Sequence, residues 1–244
     1  VSKYAFRFNY IKYYGVSNVA NKKHAIVLFS GGLDSTTALL IAKSLNFNII
    51  ALTINYKQRH ISELDASKYI LNDYPDIKHI IFDIDLNKIG GSALTDSSID
   101  VPEEHSDDIP VTYVPARNTI FLSIAAAYAE RFNISDIFIG VNAIDYSGYP
   151  DCRPEFIASF ENMINLGTKS GVTGKKINIH APLIKMKKHE IIKSGIKYGV
   201  DYSKTLSCYN PSDEGLACNA CDACHFRKEG FRIAGVNDPT RYKK

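Results

Sequence analysis

Ala25-Ile26-Val27-Leu28-Phe29 is an unbroken apolar run that passes straight into Ser30-Gly31-Gly32-Leu33-Asp34-Ser35. A strand that is apolar at every position, and not at alternate ones, must be covered on both faces, as strands of a parallel sheet are. Thr36 to Leu45 then carries apolar residues at helical spacing, and Ile49 to Ile54 is a second buried strand, so the segment reads as a βαβ unit. The alternation continues with a helix around Ser62 to Leu71, a strand at His79 to Ile84, a helix at Asn118 to Phe132 and a strand at Asp136 to Val141. Helices near Pro154 to Leu166 and Lys187 to Tyr198 flank one more strand at Ile177 to His180. This order predicts an α/β fold with a doubly wound, mostly parallel sheet.

With 244 residues and 45% hydrophobic composition, the chain can bury one substantial core, and one principal domain is expected. Residues 1–23, rich in Tyr, Lys and Asn without a sustained period, read as an extension. The polar stretch from Asn87 to Pro110 is longer than a connection in a compact fold usually is, and is a candidate lid or disordered loop. A net charge of +3 is too mild to announce a nucleic-acid footprint and suits small anionic substrates; no nucleic-acid partner is expected. The longest apolar stretch, Thr119 to Ala129, is too short to span a bilayer, and the chain does not start with the order of a secretory signal. A cytoplasmic protein without a membrane partner is the expectation, with a homodimer as its assembly.

The loop Ser30 to Ser35 sits between strand and helix, where open α/β sheets bind ligands outside the carboxyl ends of their strands. Two glycines let the backbone approach an anion, the N–H groups and dipole of the coming helix attract negative charge, and Ser30, Ser35 and Thr36 add hydroxyl donors. The alternative is an ordinary turn in which Asp34 or Ser35 caps the helix. The string is neither a Walker loop nor a dinucleotide fingerprint, because the Lys-Ser/Thr of the one and the third glycine of the other are missing.

Cys218-x-x-Cys221-x-x-Cys224, with Cys208 upstream, offers four soft thiolates, the number a closed tetrahedral structural zinc site needs. An iron–sulfur cluster is the serious rival, and zinc is favoured. With every position filled by protein, the metal would staple a loop-rich C-terminal segment and take no part in Lewis-acid catalysis. His225 could replace one thiolate.

Tyr56-Lys57-Gln58-Arg59-His60 leaves the second strand at the same sheet edge as the glycine loop, against the alternative of a solvated surface. Arg117 opens a helix and could clamp a phosphate or carboxylate bidentately, or simply start the helix. Asp145 to Glu155 is dense in groups that hydrogen-bond and stack: Asp and Glu can pair with the amidine edge of a guanine-like ring and Tyr can cover its face, while the bland alternative is a helix entry with Pro154 in its first turn and Asp151 as cap. Lys187, Lys188 and Glu190 begin a later helix, where lysine in the first turn suggests an anion nearby, against the more ordinary reading of a solvated face for Lys187. Cys152 reads as packing or substrate contact.

Ser30-Gly31-Gly32-x-Asp34-Ser35 looks like the pyrophosphate loop of the ATP pyrophosphatase superfamily. Together with Asn55 to His60, Pro115 to Asn118, Gly140 to Glu155, Pro182-Leu183 and Cys208 to Cys224, it resembles the 7-cyano-7-deazaguanine synthase family, over a span from His24 to Asp238-Pro239-Thr240. The string Asp145-Tyr146-Ser147-Gly148-Tyr149-Pro150-Asp151-Cys152-Arg153-Pro154 is its most specific element. The resemblance implies an adenine-nucleotide-alpha-hydrolase-like fold, with an ATP-binding domain over 24–202 and a zinc-binding segment over 203–244 packed on it. It also implies a carbon–nitrogen ligase that turns 7-carboxy-7-deazaguanine, ammonia and ATP into the nitrile, in queuosine biosynthesis, through an adenylate and an amide, with Zn²⁺ as structural metal and Mg²⁺ accompanying ATP.

On that basis Asp34, Lys188 and Arg117 are the candidate catalytic groups. Phe29, Ser30, Gly31, Gly32, Leu33, Asp34, Ser35, Thr36, Thr37, Ala38 and Leu39 are the candidate ATP site, and Gln58, Arg59, His60, Asp145, Tyr149, Asp151 and Arg153 the candidate substrate contacts. Cys208, Cys218, Cys221 and Cys224 are the candidate metal ligands. The family usually has glycine where Lys57 and Asn219 stand, so local geometry there is open to change, and a related ligase of shifted specificity remains an alternative. A tRNA-thiolating enzyme would need reactive sulfur-carrying cysteines, and a nucleic-acid-binding zinc module a stronger basic excess.

Overall fold

The computed structural model describes residues 22–59, 62–102, 109–143 and 148–243. His60 and Asp145, and residues 1–21 of the extension, lie outside them. Five strands form one sheet: β1 (His24–Leu28), β2 (Asn48–Asn55), β3 (Lys78–Asp83), β4 (Asp136–Phe138) and β5 (Asn178–His180). Their order is β3-β2-β1-β4-β5, and every pairing among the described residues is parallel. The helices are α1 (Leu33–Ser44), α2 (Ser62–Leu71), α3 (Arg117–Phe132), α4 (Pro154–Gly167), the short α5 (Lys169–Val172), α6 (Lys188–Lys197) and α7 (Asp222–Ala234).

The continuous apolar strand β1 is explained by its two covers. Ile26 and Leu28 pack with Leu122, Ala125 and Ala129 of α3 and Ile157 and Phe160 of α4 on one face. Ala25 and Val27 pack with Ala38, Leu39 and Ala42 of α1, Ile191 and Ile192 of α6 and Phe231 of α7 on the other. Small residues on α1 and α3 let both helices lie close to the sheet, and apolar area buried this way stabilises at roughly 25 cal/mol per Å².

The chain winds outward from β1 to β2 and β3, then crosses back to β4 and β5, so the strand order reverses between β1 and β4. The crevice at such a switch point is where doubly wound sheets place ligands. Here the loop after β1 crosses over the end of β4, and a Cβ on Gly140 would lie 2.9 Å from the backbone of Asp34 and Ser35. That approach ends β4 at Phe138, short of the expected Val141, although Ile139 N–H still donates to the His180 carbonyl at 2.9 Å.

Two expectations change. The C-terminal segment is not loop-rich throughout, since α7 occupies thirteen of its residues and packs on α6. Nor is the described part of the 87–110 stretch a lid: Ser92, Ala93, Leu94 and Thr95 are buried, and Ala93 N–H donates to the Val111 carbonyl at 2.8 Å. Residues 103–108 of that stretch lie outside the described residues. Lys57 and Asn219, where the resemblance expects glycine, both have left-handed backbone, with φ of 62° and 72°.

Candidate active site

The glycine loop is shaped by its own hydroxyls. Ser30 Oγ lies 3.1 Å from Ser35 Oγ and accepts from Gly32 N–H at 3.3 Å, while Ser35 Oγ accepts from Ser30 N–H at 3.2 Å. Gly31 has φ of +85°, and a Cβ there would stand 2.6 Å from the Ser67 nitrogen of α2, so only glycine fits this position without displacing the helix. The N-cap of α1, Gly32, has no capping side chain of its own. The cap comes from far along the chain: Leu33 N–H donates to Ser207 Oγ at 3.1 Å, and Leu206 N–H donates to the Gly31 carbonyl at 3.2 Å.

Phe29, Ser30, Gly32, Leu33, Asp34 and Ser35 line an open cavity at the switch point. The second half of the predicted ATP run does not line it. Thr36 and Thr37 turn their hydroxyls back to the carbonyls of Gly32 and Leu33, at 2.8 Å each, and Ala38 and Leu39 are buried in the core. Gly31 supplies the turn and packs on α2.

Across the cavity, Lys188 at the start of α6 grips Asp34 with its ammonium 2.9 and 2.8 Å from the two carboxylate oxygens. Lys187 is exposed, and Glu190 accepts from Lys187 N–H at 2.7 Å, which makes it a cap for α6. Arg117 enters the cavity from the start of α3, beneath a strained Ala116 with φ of 54°. Its guanidinium sits 5.8 Å from the centre of the Tyr149 ring. Burial works against its charge, but the surrounding Tyr56, Tyr149, Cys152 and Tyr209 more than offset that and hold it protonated. Burial, and then the Asp151 charge, push the Cys152 thiol up to about 12, so it is a neutral thiol near pH 7 and a poor nucleophile.

The predicted substrate contacts divide. Gln58 and Tyr149 line the cavity, Gln58 with its side-chain oxygen accepting from Tyr56 N–H at 3.1 Å and Tyr149 with its hydroxyl 2.9 Å from Thr112 Oγ1. Arg59 does not line it, and donates instead to the Ile99 carbonyl at 3.2 Å. Arg153 is exposed outside the lining. Asp151 is buried beside the cavity as an anchor for α3, accepting from Asn118 N–H at 2.9 Å while the Asn118 side chain donates back to the Asp151 carbonyl at 3.1 Å.

Among the lining residues, Glu63, Ser207, Tyr209 and Arg227 are polar groups without a separate signal in the sequence. Glu63 stands in the first turn of α2, an ordinary place for a carboxylate on any helix. Yet it faces the cavity, and desolvation lifts its carboxyl to about 7 against the opposing pull of Arg117. Arg227 of α7 is buried, donating to Thr205 Oγ1 at 2.8 Å and the Tyr202 carbonyl at 2.9 Å and pairing with Asp238 at 3.2 Å.

Behind this wall Cys208, Cys218, Cys221 and Cys224 bring their sulfurs within 4.8 Å of one another. Cys218 and Cys224 are 3.8 Å apart, matching the roughly 3.8 Å edge of a tetrahedron with metal–sulfur bonds of about 2.3 Å. Cys208 Sγ accepts from Cys218 N–H at 3.1 Å and Cys218 Sγ from Cys221 N–H at 3.3 Å, so backbone donors hold the sulfurs in place. The donor set fits a structural metal. His225 is not part of it.

The family described as "Queuosine biosynthesis protein QueC" matches residues 24–235. The chain belongs to the QueC family. It is 55% identical over 222 residues to the 7-cyano-7-deazaguanine synthase of Pseudomonas fluorescens (strain SBW25), covering 91% of this chain and 99% of the relative. It is 57% identical over 224 residues to the enzyme of the same name from Geobacter sp. (strain M21), again over 91% and 99%. The QueC match begins at the first residue of β1 and ends just beyond α7, so it takes in both the glycine loop and the cysteine cluster.

Proposed function

We propose that this protein converts 7-carboxy-7-deazaguanine and ammonia to 7-cyano-7-deazaguanine at the expense of two ATP, each released as AMP and pyrophosphate. The substrate carboxylate oxygen attacks the α-phosphorus of ATP and pyrophosphate leaves. Ammonia then displaces AMP from the acyl carbon to give the amide. The amide oxygen attacks a second α-phosphorus, and loss of AMP and of the remaining nitrogen protons leaves the nitrile. A carboxylate is a poor electrophile, and both ATP are spent on turning its oxygens into leaving groups.

The single observation that carries this reading is the placement of the Ser30–Ser35 loop and the Asp34–Lys188 pair on one cavity with Arg117 and Tyr149, in a chain of the QueC family. The helix α1 N–H groups and loop hydroxyls would bind the pyrophosphate. Lys188 and Arg117 would stabilise charge on the α-phosphate, at cationic positions already fixed by Asp34 and the tyrosines. Asp34 would carry the Mg²⁺ that travels with ATP, which neutralises phosphate charge. Tyr149 and Gln58 would contact the ring. No step needs a protein nucleophile, in keeping with a neutral Cys152. Zinc on the four cysteines would be structural, and a homodimer is the expected assembly.

Incubation with 7-carboxy-7-deazaguanine, ammonium and Mg-ATP should give the nitrile and AMP by mass spectrometry. Release of ADP, or no nitrile, overturns the proposal. Lys188→Met should lower kcat by about 100- to 1000-fold, the scale for removing one preorganised stabiliser of transition-state charge, with AMP release as the measurement.

A further inference from the structure

An amidine edge offers two parallel N–H donors, and a carboxylate is the side chain that accepts both. The loop at 145–155 supplies carboxylates in sequence, but not, among its described residues, in the cavity. Asp151 is committed to the start of α3 through Asn118 N–H, and Glu155 is exposed outside the lining. Among the described residues only Asp34 and Glu63 bring a carboxylate to the cavity. Asp34 is held by Lys188 at both oxygens.

Glu63 is different. It lines the cavity from the first turn of α2, and its backbone is fixed there because the Glu63 carbonyl packs against Gly31 of the loop, 2.9 Å from where a Cβ would stand. Among the described residues it makes no side-chain hydrogen bond or ion pair; Arg117 acts on it only through its charge. A desolvated carboxylate without hydrogen bonds is costly to keep in an apoprotein, and two donors from a ligand would relieve that cost.

We infer that Glu63 is the specificity residue that reads the N1–H and 2-amino edge of the deazaguanine ring. The assignment rests on the function proposed above and places the carboxylate that reads this edge in the first turn of α2, with Tyr149 still on the ring. Arg117, close enough to act on the Glu63 charge, keeps the carboxylate form accessible when the ring is bound. A carboxylate that lines the cavity with no donor to either oxygen among the described residues favours a ligand that donates to both over one that donates to neither.

The test compares 7-carboxy-7-deazaguanine with its analogue lacking the 2-amino group, with saturating Mg-ATP and AMP release as readout. The wild-type protein should show a KM for the analogue roughly 10- to 100-fold higher, the scale of a hydrogen bond to a charged group. Glu63→Gln replaces one acceptor by a donor at the same volume. It should raise KM for the guanine form by a similar factor and bring the two KM values together, leaving KM for ATP within about twofold.

Equal KM values for the two ligands on the wild-type protein overturn the assignment, whether or not the variant folds. So does a Glu63→Gln protein that keeps the wild-type preference. If the wild-type protein releases no AMP with either ligand, the proposed function itself falls and takes the assignment with it, an outcome distinct from lost discrimination with turnover intact.

Discussion

Lys57 holds a left-handed backbone, φ 62°, on an exposed turn after β2. A side chain with a Cβ costs about 1–2 kcal/mol in that region, and glycine gives back part of the gain through its freer unfolded chain. Lys57→Gly should therefore stabilise by about 0.5–1 kcal/mol in denaturant unfolding. Asn219 has the same backbone sign, but its side-chain oxygen accepts from Lys228 at 2.7 Å and asparagine tolerates the conformation, so Asn219→Gly should gain little or nothing in the same measurement. Glu63 gives a second prediction at this scale. Its carboxyl is raised from 4.5 in the reference state to about 7 in the fold, so the folded form binds the proton more tightly. Its contribution to stability is complete below about pH 4.5 and is lost as pH rises through about 7. Unfolding free energies measured across that window should fall less steeply for Glu63→Gln than for the wild-type protein. The motif residues Asp34, Arg117 and Lys188 were legible one at a time from their surroundings in sequence. Glu63 was not, because a glutamate in a first helical turn has a sufficient local explanation.

At the scale of elements, α1 begins at the glycine loop without a side-chain cap of its own and depends on Ser207, in the segment before Cys208. Ser207→Ala should destabilise the fold by about 1 kcal/mol, the usual value of an N-cap, and raise KM for ATP, because the loop N–H groups lose their register. Unfolding and AMP-release assays check the two effects separately. Long, apolar or strongly periodic elements such as β1, β2, α2 and α3 were readable from sequence within a residue or two. The helix α7 was not, because it follows directly on the cysteine cluster and carries Lys, Arg and Glu on its exposed positions; its apolar side is supplied by Phe231 and by close packing on α6. The end of β4 was misplaced for a different reason: apolar residues continue through Val141, but Gly140 must leave the ladder to let α1 approach.

Over the whole molecule, the cysteine cluster is connected to the cavity through short stretches of chain. Leu206 and Ser207 bind the loop, Tyr209, Ala223, Phe226 and Arg227 wall the cavity, and all lie within a few residues of a clustered cysteine. Cys221→Ser should therefore abolish stoichiometric metal, lower the Tm by several degrees and raise KM for ATP together. A lower Tm with unchanged ATP affinity would separate the staple from the loop. The sequence by itself determined the doubly wound sheet, the glycine loop and the cysteine cluster, because each is encoded by residues adjacent along the chain: an apolar run, a glycine turn, a spacing of cysteines. Only the tertiary structure decided which carboxylate faces the cavity, which one anchors α3 and which distant serine caps α1. Those roles depend on what stands opposite a side chain after folding, and burial and hydrogen-bond partners from remote segments are not written in local order.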